Sequence, residues 1–197
     1  LKEIIYRTRG VGVLDYGEAR KYSVLGPTAR ASGIDTDVRK YHPYAAYRHV
    51  YFKVPVYKDG DVLSRILVRH EEIIESINII EQLLDNLPRT PIMAEEIHVP
   101  EHRIGVGVTE APRGEDIHFV ITGRDNKIYR WRPRAPSYNN IPALLVMLKD
   151  QHLADAPIII ASIDPCFSCT DHVLVIDVRT GSRKQVGLGE LSRRGLD

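Results

Sequence analysis

Cys166 and Cys169 are the only two thiols in the chain, three positions apart, with Pro165 before the first and His172 three positions after the second. A helical approach to such a Cys-x-x-Cys turns both sulfurs toward one point, as a soft transition metal requires of thiolate ligands. The spacing alone also fits half of a zinc site with His172 as a further ligand, a dithiol redox pair, or two cysteines packed in a core. A thioredoxin-like pair is expected beside a βαβ pattern, which the flanking sequence lacks. Two thiols in so short a span make a poor secreted disulfide framework. A metal or redox site in a reducing, cytoplasmic compartment is the expectation.

Two other charged residues stand where chemistry is feasible. Asp164 directly precedes Pro165 and Cys166, so its carboxylate either lies close to whatever the sulfurs hold or caps the helix that follows. Arg113 lies in Glu110-Ala111-Pro112-Arg113-Gly114-Glu115, a turn that either aims a guanidinium inward from a sheet or leaves it as an ordinary exposed residue.

These residues need elements to position them, and the chain has the material. With 197 residues, 43% hydrophobic and 27% charged, it is large enough to bury a core as one compact domain or part of a larger one. A net charge of +1, with acids and bases interspersed, excludes a broad field for nucleic acid or an anionic membrane surface. The apolar run Ala156 to Ile163 is far below the ~20 residues of a membrane-spanning helix. The first sixty residues, rich in Tyr, Gly and Arg, predict short helices and loops. From Asp61 to Leu87, apolar residues at Val62, Ile66, Ile73, Ile77, Ile80, Leu84 and Leu87 predict a long amphipathic helix, capped by Asp61 and stopped by Pro88. Arg103 to Thr109, Asp116 to Thr122 and Lys127 to Arg132 predict an antiparallel meander. Helices are expected from about Ile141 to Asp150 and around Leu153 to Ser162, and a strand over Val173 to Val178. The fold class is therefore α+β, mainly helical with a small β-meander.

The string Asp164-Pro165-Cys166-Phe167-Ser168-Cys169-Thr170-Asp171-His172 is similar to the C-terminal signature of nickel-iron hydrogenase large subunits. That resemblance implies a nickel-iron centre with CO and cyanide on the iron. It makes Cys166 a terminal nickel ligand, Cys169 the bridge between nickel and iron, and His172 a ligand to a nearby structural cation such as Mg. The Pro112-Arg113-Gly114 element resembles the family's segment whose arginine stands over the metals, making Arg113 the candidate base or proton-steering group. Arg134-Ala135-Pro136-Ser137-Tyr138-Asn139 resembles the element that donates to the cyanide ligands, which singles out Ser137. Ser137 as cap of the helix expected near Ile141 is the competing reading. By the same resemblance Asp164 belongs to the polar canopy above the site, paired with Arg113 to relay protons.

Gly26 to Arg39 and Asp61 to Leu87 resemble stretches shared by energy-converting membrane hydrogenases and the large core subunit of respiratory complex I. Their acids and arginines suit proton coupling, or form surface salt bridges. The family's site takes a second Cys-x-x-Cys pair that this sequence lacks, and the chain begins at Leu1, so residues 1–172 are expected to be the C-terminal half of a subunit. Residues 173–197 resemble the extension removed by a maturation protease in formate hydrogenlyase-type subunits. The implied partners are the missing N-terminal half, an iron-sulfur small subunit whose clusters take the electrons, and membrane subunits that hold the complex peripherally on the inner face of the membrane. Two other functions compete with reversible H2 oxidation: a complex I-like quinone or proton-coupling subunit without nickel, and a zinc-binding assembly module.

Overall fold

The computed structural model describes residues 2–93, 98–170, 173–187 and 190. Short helices open the chain: α1 (Lys2–Thr8), α2 (Tyr16–Lys21), α3 (Gly26–Ala31) and α4 (Val38–Tyr41), then a 3-10 turn at Tyr47–His49. Side-chain caps start two of them. Asp15 accepts from Glu18 N, and Asp37 accepts from Arg39 N, each satisfying an amide that the first helical turn leaves unpaired.

The long helix α5 covers Val62–Asp85, as its periodicity requires. Asp61 caps it with one oxygen, which accepts from Ser64 N at 2.7 Å and Ser64 Oγ at 2.8 Å, and its other oxygen takes Gly10 N at 2.8 Å. The cap thus also ties α1's exit to α5. Asp61→Ala is expected to lower the unfolding free energy by about 2 kcal/mol, read as an earlier midpoint in urea.

The apolar stripe of α5 does not face this chain's core. Ile66, Ile73, Ile77, Ile80 and Leu84 are exposed, while Val62, Ser64, Arg65, Val68 and Ile79 are buried. The inward face therefore mixes the apolar Val62, Val68 and Ile79 with the polar Ser64 and Arg65. It meets α3 and α8, and its polar groups find partners there.

Strands β1 (Ile104–Ala111), β2 (Gly114–Thr122) and β3 (Ile128–Arg134) form the expected antiparallel meander in the order β1-β2-β3. Against the sequence-based limits, β1 and β3 start one residue later and end two later, and β2 starts two residues earlier. Ala111 pairs with Gly114, so Pro112 and Arg113 are the whole hairpin turn. Pro133, which cannot donate to a ladder, sits on the edge strand β3.

The helix expected over Ile141 to Asp150 is different. The chain makes α6 (Ser137–Asn140), a 3-10 turn (Ile141–Ala143) containing Pro142, and α7 (Leu144–Met147). Proline removes one intrahelical donor and tightens the turn, so the segment starts earlier, breaks, and ends before Asp150, which has φ +59°. A 3-10 turn at Leu153–Asp155 then leads into α8 (Ala156–Ser162), close to expectation, and α9 (Phe167–Thr170) carries the second cysteine just after the first. Strand β4 (Val173–Ile176), shorter than the expected Val173 to Val178, pairs with β5 (Arg183–Val186) as a separate hairpin.

One apolar cluster of Leu14, Ala19, Val24, Ala29, Val62, Ala143, Met147, Ile159 and Ile163 joins these helices. It draws α2, α3, the start of α5, α7 and α8 together and so fixes the platform from which the Asp164–Cys169 segment leaves. Among the described residues no helix is long and apolar enough to cross a membrane.

Candidate functional site

Cys166 and Cys169 lie on one short turn with Cα atoms 5.3 Å apart, and their sulfurs face each other, joined as a disulfide. Thr170 Oγ1 donates to Cys166 O at 2.9 Å, which tightens the turn. The Cys166 N–H donates to Ser137 Oγ at 3.0 Å. Ser137 is buried at the first position of α6, whose cap position is Pro136, and the turn starting at Ile141 is preceded by Asn140, so Ser137 does not occupy the cap position of either. Its hydroxyl fixes the backbone of the first cysteine and keeps its own proton for another acceptor.

Arg113 reaches the same place from the hairpin turn. Its Nη2 lies 3.0 Å from Asp164 Oδ1, and its Nε donates to Asp164 O. Asp164 has φ +51°, a left-handed turn that separates α8 from the cysteine segment. The carboxylate is engaged by Arg113, on a side chain 44% exposed.

Two glycines make this approach possible. Gly26, at φ +61°, and Gly114, at φ +123°, touch backbone to backbone, and a Cβ on Gly114 would lie 2.5 Å from Gly26 N. No larger residue fits at either position without moving the hairpin. Asn140 completes the clamp: its Oδ1 accepts from Leu25 N at 2.8 Å and its Nδ2 donates to Arg113 O at 3.3 Å. Ser137 and Asn140 stand three apart on α6, so one helical turn holds both the cysteine backbone and the arginine turn.

His172 lies outside the described residues. Among the described residues no three His, Cys, Asp or Glu side chains converge as a ligand cluster. The donors present are two sulfurs, which fit two positions of a soft transition metal once both are thiolates.

Local pattern reading missed a buried polar network next to this site. Arg30, 1% exposed, donates from Nε to Glu72 Oε1 at 2.7 Å and from Nη1 to Glu110 Oε1 at 2.9 Å and to Thr36 O at 2.6 Å. Asp37, equally buried, forms a two-bond pair with Arg39. These are not surface salt bridges, as one reading of Gly26 to Arg39 had them, because Arg30 and Asp37 are removed from water. Burial pushes the Glu72 and Glu110 carboxyls up, with Arg30 opposing. Burial likewise pushes the Arg69 guanidinium down, and its Nε and Nη2 have no partner among the described residues.

Residues 2–105 and 92–172 match the family described as respiratory-chain NADH dehydrogenase, 49 Kd subunit. The chain belongs to that family. Within the 49 kDa subunit family it is 45% identical to formate hydrogenlyase subunit 5 of Escherichia coli (strain K12) over 97% of this chain and 34% of that protein. It is 39% identical to an NADH-quinone oxidoreductase subunit of Syntrophobacter fumaroxidans over 81% of this chain and 44% of that one. A solved structure of an archaeal respiratory membrane complex, the membrane-bound sulfane sulfur reductase, contains a chain with TM-score 0.74 and 34% identity, covering 84% of this chain and 47% of that chain. The chain thus spans between about a third and a half of these relatives. Its relatives include subunits of hydrogenases and of NADH-quinone oxidoreductases alike.

Proposed function

We propose that this chain is the C-terminal part of the catalytic large subunit of a membrane-bound, energy-converting nickel-iron hydrogenase of the formate hydrogenlyase type. The observation that carries the reading is the convergence of the Cys166 and Cys169 sulfurs beside the Arg113–Asp164 pair, in a chain of the 49 kDa subunit family. Cys166 would hold nickel and Cys169 would bridge nickel and iron, with the other thiolates supplied by the N-terminal part of the subunit. The bound centre, with CO and cyanide on iron, supplies the Lewis acidity and redox chemistry for splitting or forming H2.

The residues of this chain position and steer. Ser137 holds the Cys166 amide, and its remaining hydroxyl proton would be available to a cyanide of the centre. Arg113 directs protons near the site, and Asp164 holds the guanidinium in place through Oδ1. His172 would bind a neighbouring divalent cation. Electrons would pass to iron-sulfur clusters of a small subunit, and membrane subunits would hold the assembly peripherally. The segment after His172 would be released by the maturation protease.

The complex I-like alternative is favoured by the match to the NADH-quinone oxidoreductase subunit of Syntrophobacter fumaroxidans. Metal analysis of the purified complex containing the full subunit separates the readings. Stoichiometric nickel and iron with H2-dependent dye reduction is the expected result. A metal-free complex that reacts with quinone would replace it with the complex I-like reading, and zinc with the assembly-module reading.

A further inference from the structure

Two cavities meet at one carboxylate. The larger, about 560 Å³, is bounded by Tyr16, Asp35, Asp37, Tyr41, His42 and Glu115, and Tyr16 and Tyr41 on its rim are exposed. The smaller, about 390 Å³, lies between α5 and the β1–β2 hairpin and is bounded by Arg30, Arg39, Arg69, Glu72, Ser76 and Asp164. Among the described residues, Glu110 alone lines both. Asp164, which holds Arg113, also lines the smaller one.

We infer that Glu110 is a proton carrier between these cavities, passing protons between the space beside Tyr16 and Tyr41 and the space beside Asp164. This rests on the proposed hydrogenase reading, in which protons must enter or leave at the cysteine site. Each cavity is large enough for a string of waters, at roughly 30 Å³ per water. In each transfer the carboxylate takes a proton from water in one cavity and releases it to water in the other. It returns to its charged form, and no electrons move.

The groups around Glu110 suit a carboxyl that is held still and exchanges protons. From α3, Arg30 Nη1 donates to Oε1 at 2.9 Å. From α4, the Val38 N–H donates to Oε2 at 3.0 Å, with Asp37 and Arg39 as the nearby opposing charges. Tyr44 Oη accepts from the Glu110 N–H at 3.2 Å and fixes its backbone. From α5, Glu72 shares Arg30 with it. The side chain is only 4% exposed, and burial holds its proton to higher pH than an ordinary carboxyl.

The test uses the full subunit in its complex. E110Q keeps the shape and the acceptor for Arg30 but carries no exchangeable carboxyl proton. Its H2 turnover is expected to fall tenfold or more, with a larger solvent isotope effect and loss of a titration step from the pH profile, and E110D should restore part of each. A wild-type rate and isotope effect in E110Q would overturn the assignment, as would a slowed E110Q with an unaltered isotope effect and pH profile. Infrared titration of the metal-free complex gives a second readout, a protonated-carboxyl band present in wild type and absent in E110Q. Should the wild-type complex show no H2 turnover, the hydrogenase reading fails on its own. The infrared band then decides on Glu110 alone: its loss in E110Q supports a proton-exchanging carboxyl, and its persistence removes it.

Discussion

Arg65→Met is expected to destabilise the protein by about 4 kcal/mol, enough to consume much of the roughly 5–15 kcal/mol that holds a domain folded. Arg65 is 0% exposed, and its guanidinium makes three directed bonds. Nε donates to Ser162 Oγ at 2.8 Å, Nη1 to Gly60 O at 2.7 Å, and Nη2 to Gly12 O at 2.9 Å. Burial pushes its pKa down to about 10, with Arg69 adding to the shift, so it still carries its charge at neutral pH. Methionine fills a similar volume and takes away the donor of Gly12 O, while Gly60 O still accepts from Leu14 N and Ser162 Oγ still donates to Ile159 O; each weakened or unpaired group costs about 1–3 kcal/mol, offset in part by the relief of burying a cation. Arg65→Lys should lose less, because a single ammonium reaches some of the acceptors but cannot span all of them. Urea unfolding of both variants checks the order. Equal midpoints for wild type and Arg65→Met would show that the cation's burial cost cancels its bonds. The same substitution should loosen the cysteine segment, since Ser162 ends α8 just before Asp164.

Signals that depend on neighbours in sequence were readable from the residues alone. The Asp61 cap and Pro88 bracket α5, and the turn residues around Arg113 and around Gly123 to Asn126 separate the three strands. The Cys-x-x-Cys spacing likewise placed its two sulfurs together. Periodicity misled about which face of α5 this chain covers and about the helix expected over Ile141 to Asp150, which Pro142 breaks. Arg65 and Glu72 look like a solvated face because the groups that satisfy them are remote: Ser162 is 97 residues from Arg65, and Glu110 is 80 residues from the Arg30 that also holds Glu72. A buried charge is tolerated where its partners converge, and convergence is a property of the fold. Ser137 shows the same limit. Beside a predicted helix it reads as a cap, whereas its real partner, the Cys166 amide, comes from 29 residues away.

Cys166→Ser is expected to strip nickel from the complex to below a tenth of the wild-type content and to cut H2 turnover by at least roughly a thousandfold, or about 4 kcal/mol of barrier. Serine keeps the size of the side chain. Its hydroxyl, however, stays protonated near neutral pH and offers a hard oxygen where a soft metal needs a thiolate. The frame around it should survive, because the Ser137 bond is made to the residue's backbone N–H and the Thr170 bond to its carbonyl, neither of which involves the sulfur. Circular dichroism of the variant should therefore match wild type, which separates loss of a ligand from loss of fold. Cys169→Ser should behave alike for nickel and also lower iron, because a bridging position serves both metals. If Cys166→Ser kept both its nickel and its rate, the cysteines would be structural and the hydrogenase reading would fall. Retention of zinc by wild type and its loss in both variants would instead assign the sulfurs to an assembly module.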